Sequence, residues 1–485
     1  MRSRLWPVPL LVFVVVWGLT THGKFSLAGD EPHYLLMAES LRVDGDLDLA
    51  NDYAPAPGTH RREPPPERHA RLDRSGALRS VHDPGLAVLL LPVHDVASWL
   101  AARVPPQWLA AFRMTPVLFA YAQVSLFMLA LTCVGLALLV ATLARRVPPA
   151  HARAATLLVA LSPPLLAHAF LVFPDTVAFA VACLAVWTAY GPGRDVRWAP
   201  VVTSAALGLL PWTHRKFTLF ATGLLFVVIW ERRDELRRLC RPRALAMSGA
   251  FLAPQVVFYA WSWMQWGNLA GPVALDRLPL SWRTAAVGFP GLLIDREYGL
   301  LVWAPVYLAA FAAWWRTRAS TWPLLVPALL LYLPSAANDM WWGGFAPAGR
   351  FLVPLVPLLA LPLALGLADR VFARAVVALC ASQLMISAIG WQWPRSLWPR
   401  GDGHNRVLEA IPGIGRTLND ALPSFRAGPV DPVAVVVVAI AVLATMAAIA
   451  WAMDPGTVGR LSVSRRSPSP ANREGTSSGR SHPST

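Results

Sequence analysis

A chain of 485 residues with a mean hydropathy of +0.45, 22 tryptophans and only 15% charged residues has too little polar side chain to cover a water-soluble surface. Its formal net charge of +15 is almost wholly arginine, Lys24 and Lys216 being the only lysines. Because those arginines lie mostly in connections beside apolar runs, where they set orientation and meet anionic lipid, the charge argues against a nucleic-acid partner. The composition is that of an integral membrane protein without a separate soluble catalytic domain.

The opening "MRSRLWPVPLLVFVVVWGLTT" has the charged head and apolar run of a signal peptide, but no small-residue cleavage site follows it. It is read as an uncleaved first span with a cytoplasmic N-terminus. Together with later runs it predicts twelve spans, at 6–21, 114–143, 154–172, 176–190, 198–212, 217–230, 244–263, 299–315, 322–337, 351–367, 375–390 and 432–453. A further apolar run, 85–102, carries His94 and Asp95 at its middle, which is costly against lipid. The short arginine-bearing connections 144–153, 231–244, 316–318 and 369–374 and the tail share the cytoplasm only if that run does not cross. It is expected as a re-entrant or juxtamembrane helix on the outer side.

Both termini then lie inside, and the extracytoplasmic segments are 23–113, 173–175, 213–216, 264–298, 338–350 and 391–431. The first of these holds six arginines between Tyr53 and Ser80, which a loop of that length tolerates. The expected fold class is all-α and polytopic: about twelve transmembrane helices over 1–454 with extracytoplasmic juxtamembrane or re-entrant helices, then a disordered Ser/Arg/Pro-rich cytoplasmic tail over 455–485. Cys133, Cys183, Cys240 and Cys380 have no paired spacing and suggest neither disulfides nor a metal site.

Unusual polar residues converge on the outer face under this topology. In "GDEPHYLLMAESLR", Gly29 breaks the chain, Asp30 can cap a helix and Pro32 fits a first turn, so a short amphipathic helix lying at the interface is expected. Asp30 and Glu31 are adjacent, so at most one is the cap; a carboxyl beside an apolar surface can serve as an acid or base. His33 follows on the same helix. Asp44, Asp46 and Asp48 resemble a calcium loop only superficially, since the later Gly and Glu are missing, and read as a solvated turn. In "SVHDPGL", His82 and Asp83 precede the 85–102 run, with Asp83 as an N-cap or a site residue.

Asp175 stands at the mouth of a span, and His214, Arg215 and Lys216 at another. Three such groups at an outer boundary call for an anionic partner, a bound phosphate or lipid headgroups. Asp295, Arg296 and Glu297 are expected to pair with one another. In "NDMWWGGFAPAGRFLVPLVP", Trp341 and Trp342 suit an interfacial belt or the C–H face of a sugar, and Arg350 suits a phosphate.

Taken together, "GDEPHYLLMAESLRVDGDLD", "HDPGL" and "WWGGFAPAGRFLVPLVP" resemble, in order over 6–357, the GT-C superfamily of integral-membrane glycosyltransferases, in particular protein O-mannosyltransferases and lipid A aminoarabinose transferases. The resemblance implies transfer of a monosaccharide from a polyprenyl-phosphate donor to a glycan, lipid or protein acceptor on the extracytoplasmic face. It implies Asp30 as general base, Glu31 as a residue positioning sugar or acceptor, and cationic groups that stabilise the departing phosphate. A lysine precedes the corresponding "PPL" element in aminoarabinose transferases, and Asp83 holds that place here. The phosphate contact therefore moves to Arg215, Lys216 and Arg350, with His33, His82, Asp83, Asp175, His214 and Trp342 completing the substrate-binding set. No cofactor and no metal ligand is assigned; some superfamily members use a divalent metal, and the spacing leaves that open. The rival reading is a transporter or flippase for a lipid-linked or anionic substrate, which would place acids or broken helices near mid-membrane in paired halves.

Overall fold

The computed structural model describes residues 7–21, 27–53, 67–237, 241–272 and 280–454. The expected disordered tail, Cys240 and loop residues 54–66 lie outside the described residues. The fold is all-α apart from one short hairpin, and each of the twelve predicted spans overlaps a helix. On length and composition, Pro116–Leu143, Pro242–Trp266, Val306–Ala337, Arg370–Gln392 and Pro432–Ala452 can cross a membrane, and six shorter apolar helices accompany them. This is an integral membrane protein.

One helix organises the bundle. Pro174–Tyr190 buries every residue except Val181, Leu184 and Trp187, because alternating alanines let its neighbours approach closely. Gly135 of Pro116–Leu143 faces it; a Cβ there would lie 2.9 Å from the Phe179 ring and 3.3 Å from the Ala180 Cα. Small residues are how helices pack where lipid supplies no hydrophobic drive between them. Pro432–Ala452 is the opposite case: among its residues only Ala450 is buried, so its apolar surface faces outward.

Two groups of connections that the arginine pattern assigns to one side do meet. Arg316 donates to the Met453 carbonyl at 3.0 Å, and the Asp454 amide to Asp369 at 2.8 Å. Arg194 pairs with Glu235 at 2.9 Å, and Arg145 with Asp195. Arg316 and Arg318 sit inside the helix Val306–Thr321, however, and not in a connection between spans.

The run 85–102 forms the helix Gly85–Ala101 and lays a face of Leu86, Ala87, Leu90, His94, Ala97 and Ala101 against its surroundings. It packs on Glu31–Val43 and Pro116–Leu143. His94 Nε2 meets Glu39 at 2.9 Å, and Glu39 also takes Arg42, so the polar centre of this run pairs with the helix over which it lies. The acids at 44, 46 and 48 behave as turn residues: Asp46 accepts from the Asp48 amide, and Asp48 from the amides of Ala50 and Leu78.

A two-stranded antiparallel hairpin, Ala70–Leu72 with Leu78–Ser80, was not anticipated. Asp73 closes its turn by accepting from Ser75, Ala77 and Arg79. At its base the Val81 amide donates to the His69 carbonyl at 3.0 Å, which brings His69 beside His82. The acidic stretch at 295–297 does not pair internally. Asp295 accepts from the amides of Glu297, Tyr298 and Phe425, and Glu297 from those of Gly401 and Gly403, so these carboxylates fasten the 391–431 loop to the bundle.

Gly29 fixes where the first amphipathic helix begins. Its φ of +54° is a left-handed value, and a Cβ would lie 2.3 Å from the Phe345 carbonyl oxygen. Only glycine lets the start of Glu31–Val43 sit against the loop that precedes Arg350. Gly29→Ala is expected to cost roughly 1–3 kcal/mol, whereas Gly249→Ala, in a helix with nothing within 4 Å of the new Cβ, is neutral or stabilising. Thermal unfolding of the two purified variants checks this.

Candidate functional site

Five chain segments that start helices or helical turns meet at one place. Asp30 precedes Glu31–Val43, Asp83 precedes Gly85–Ala101, Asp175 lies in the first turn of Pro174–Tyr190, Lys216 precedes Phe217–Glu231, and Arg350 opens the turn Arg350–Leu355. Acids are favoured near helix N-termini by the unsatisfied amides and the dipole. Here the side chains do more than cap. The Asp30 carboxylate makes no capping bond; its backbone carbonyl receives the amides of His33 and Tyr34 instead. Nor does Asp83 cap, since Pro84 holds that position.

The carboxylates are taken by cations. Arg350 donates through Nη2 to Asp30 Oδ2 at 2.6 Å, through Nε to Asp175 Oδ2 at 3.1 Å and through Nη1 to the Gly343 carbonyl at 3.1 Å. Its guanidinium lies 4.1 Å from the centre of the Phe173 ring. Lys216 Nζ donates to the other Asp175 oxygen at 2.7 Å and sits 4.2 Å over Phe351. Arg215 is bound to Asp83 through its backbone amide at 2.8 Å, its Nε at 3.3 Å and its Nη2. The cations expected to await an external anion thus already have internal ones, because a buried guanidinium or ammonium left unpaired costs several kcal/mol. Neither lipid headgroups nor an absent phosphate is needed to explain them.

Access differs within the network. Asp175 and Arg350 are buried, but the side chains of Asp30, Lys216 and Arg215 keep 21%, 16% and 19% of their exposure. Asp30 Oδ1 receives no hydrogen bond among the described residues. Lys216 uses one of its three donors on a carboxylate, and Arg350 three of its five. The network therefore has spare donors and one free carboxylate oxygen at its open edge.

Burial opposes the charge on Asp30, but Arg350, with His82 and His214 behind it, holds this carboxyl well below the usual carboxylate range. Burial lowers Lys216 to about 8, partly offset by Asp175 and reinforced by Arg350. His82 is lowered by burial, and His214 is held well below its usual value by burial and then by Lys216 and Arg350. Both imidazoles are neutral at pH 7. His33 is pushed down to about 3 by burial and by its neighbours His69 and His82; its Nδ1 meets the Tyr53 hydroxyl at 3.1 Å.

Two of the expected site residues stand apart. Glu31 is fully buried and receives the Ala28 amide at 3.0 Å, the Val172 amide at 2.8 Å and the Tyr121 hydroxyl at 3.0 Å, so it ties the first amphipathic helix to Pro116–Leu143 and to the connection before Pro174–Tyr190. Burial outweighs those donors and raises it to about 7. Trp342 packs edge-on against Trp341 and carries the Arg426 guanidinium 4.0 Å over its face. His69 is the residue that sequence reasoning missed: its ring stacks on His33 at 4.0 Å, and nothing in "ERHARL" marks it.

No family model matches this chain, and no curated protein does either. Among solved structures, the crystal structure of ArnT from Cupriavidus metallidurans bound to undecaprenyl phosphate aligns with 94% of this chain and 77% of its own, at 14% identity and a TM-score of 0.45. A likeness that loose carries no argument about chemistry, which rests on the site itself.

Asp175 is the hub of the buried half. Asp175→Asn leaves Lys216 without its carboxylate and is expected to destabilise the fold by about 3–5 kcal/mol, against about 1–2 kcal/mol for the half-buried Asp30→Asn. Thermal unfolding of the solubilised variants ranks them.

Proposed function

We propose that this protein is a glycosyltransferase that moves a monosaccharide from a polyprenyl-phosphate donor to a hydroxyl acceptor at the extracytoplasmic face of the membrane. The observation that carries this reading is a carboxylate with one free oxygen, Asp30, held by the buried guanidinium of Arg350 in a network whose part-exposed edge is Asp30 and Lys216. The motifs around Asp30, Asp83 and Arg350, which resemble GT-C transferases, support it further.

The chemistry follows from the arrangement. A polyprenyl phosphate at the open edge competes with Asp30 and Asp175 for the N–H groups of Arg350 and Lys216, and the converging helix N-termini add partial positive charge for it. As Arg350 turns toward the phosphate, Asp30 loses the partner that suppresses its basicity. The acceptor oxygen then attacks the anomeric carbon, the bond from that carbon to the phosphate oxygen breaks, and Asp30 takes the acceptor proton. Arg350 and Lys216 stabilise the charge that develops on the leaving phosphate. Neutral His214, whose Nδ1 receives the Lys216 amide at 3.2 Å, offers its other nitrogen to a sugar hydroxyl. Glu31 acts as a positioning residue by fixing the helix that starts at Asp30. A transporter reading is disfavoured because these charges gather at helix starts and are neutralised there.

Asp30→Asn is expected to lower sugar release from radiolabelled polyprenyl-phosphate monosaccharides by at least about a hundredfold, since a positioned base contributes roughly 10²–10⁴. Release at the wild-type rate by the folded variant removes Asp30 from the mechanism.

The Lys216 ammonium is present below its value of about 8 and is lost as pH rises through it. For the free enzyme kcat/KM should accordingly fall above pH 8, and Lys216→Arg should remove that alkaline limb, because guanidinium does not titrate there. A limb unchanged in Lys216→Arg assigns it to another group.

A further inference from the structure

Next to the ion-pair network lies a second cluster that the transfer reaction does not use. His33, His69 and His82 form a triangle of imidazoles, with ring centres 4.0 Å apart for the stacked His33 and His69, 5.6 Å for His33 and His82 and 5.7 Å for the tilted pair His69 and His82. Tyr34 closes one side, 5.1 Å from His82. Nothing about sugar or phosphate binding calls for three imidazoles gathered in this way.

Two features point to a ligand for them. The Nε2 atom of His82 is shut off from solvent and has no hydrogen-bond partner among the described residues. A buried imidazole nitrogen in that condition forfeits roughly 1–3 kcal/mol unless something binds it. In addition, one ligand atom each of Asp30, His69 and His82 lies within 4.8 Å of the others. Asp30 has Oδ1 to give, since Arg350 occupies only Oδ2.

We propose that Asp30, His69 and His82 form a site for a divalent transition-metal ion of the zinc type. Two imidazole nitrogens and one carboxylate oxygen are a common protein set for zinc, and three protein ligands leave a fourth position open. In a tetrahedral shell with bonds near ~2.1 Å the ligand atoms lie roughly 3.4 Å apart, so the three close in by at most about 1.4 Å on binding. Rotation of the His69 and His82 rings supplies that movement. His69 lies at the base of a hairpin, with its carbonyl bound to the Val81 amide, and the Ser80 hydroxyl receives the His82 amide at 3.1 Å. The hairpin therefore sets the spacing of the two histidines. His33, held by Tyr53, backs the His69 ring and limits its rotation.

An ion here would take Asp30 Oδ1, leaving Oδ2, freed when Arg350 turns toward the phosphate, to take the acceptor proton, and a hydroxyl at the open metal position would give that proton up more readily. Metal uptake is measured without donor or acceptor, so this inference and the transferase reading stand or fall separately.

The test uses the full-length protein, purified through a tag without histidines, stripped with chelator and titrated with Co²⁺ under visible absorption, with metal content confirmed by elemental analysis. The expected result is about one Co²⁺ per chain with the intense d–d bands of a four-coordinate site. His69→Ala and His82→Gln should each weaken uptake by more than about tenfold, and His404→Ala, on an exposed ring, should leave it unchanged. His69 is half-exposed, so His69→Ala decides the matter even if His82→Gln fails to fold. Uptake below about a tenth of an equivalent in the wild type, or uptake unchanged in His69→Ala, overturns the proposal.

Discussion

The guanidinium of Arg350 holds two carboxylates that the chain supplies from far apart, Asp30 at a separation of 320 residues and Asp175 at 175. Removing that one cation from the bundle would leave two acids facing each other near helix starts in an apolar setting. Burial alone makes such a cluster expensive, and its attraction repays the cost only where geometry and extra hydrogen bonds are good. Here the geometry is supplied by the fold: Gly29 brings its helix start against the loop before Arg350, Gly343 offers a carbonyl, and Phe173 offers a ring face. The rest of the site is arranged around that constraint.

Within the network of Asp30, Asp83, Asp175, Arg215, Lys216 and Arg350, formal charges cancel. A neutral network is stable in the absence of substrate and still receptive to an anion, because helix N-termini and spare N–H donors remain. An entering phosphate does not meet a bare cationic hole. It exchanges partners with carboxylates already in place, and that exchange is what would release Asp30 to act as a base. Stability of the resting protein and reactivity toward a phosphate-linked donor thereby come from the same bonds.

Much of the architecture was legible because lipid leaves few options: apolar runs became helices, and the polar middle of 85–102 found its partner in Glu39 on a neighbouring juxtamembrane helix. Site residues were legible as a set of acids and cations at helix starts, but their pairing was not. No local pattern tells that Lys216 reaches Asp175, or that Asp83 faces Arg215 instead of capping its helix. Contacts spanning 41 and 132 residues are fixed by bundle packing, which periodicity does not encode. Glu31 shows the same limit: an acid beside an acid looks reactive, yet it is buried and held by one local donor, the Ala28 amide, and two from distant segments, Tyr121 and Val172. His69 and the small hairpin carried too short a signal to be found.

The most direct test of the account is to compare, for the purified protein, the affinity for a short-chain polyprenyl phosphate with that for the matching uncharged polyprenol. The account predicts at least about tenfold tighter binding of the phosphate, a difference of about 1.4 kcal/mol, and a smaller preference in Lys216→Gln. Equal affinity for the phosphate and the alcohol would contradict the claim that this network receives a phosphate-linked donor.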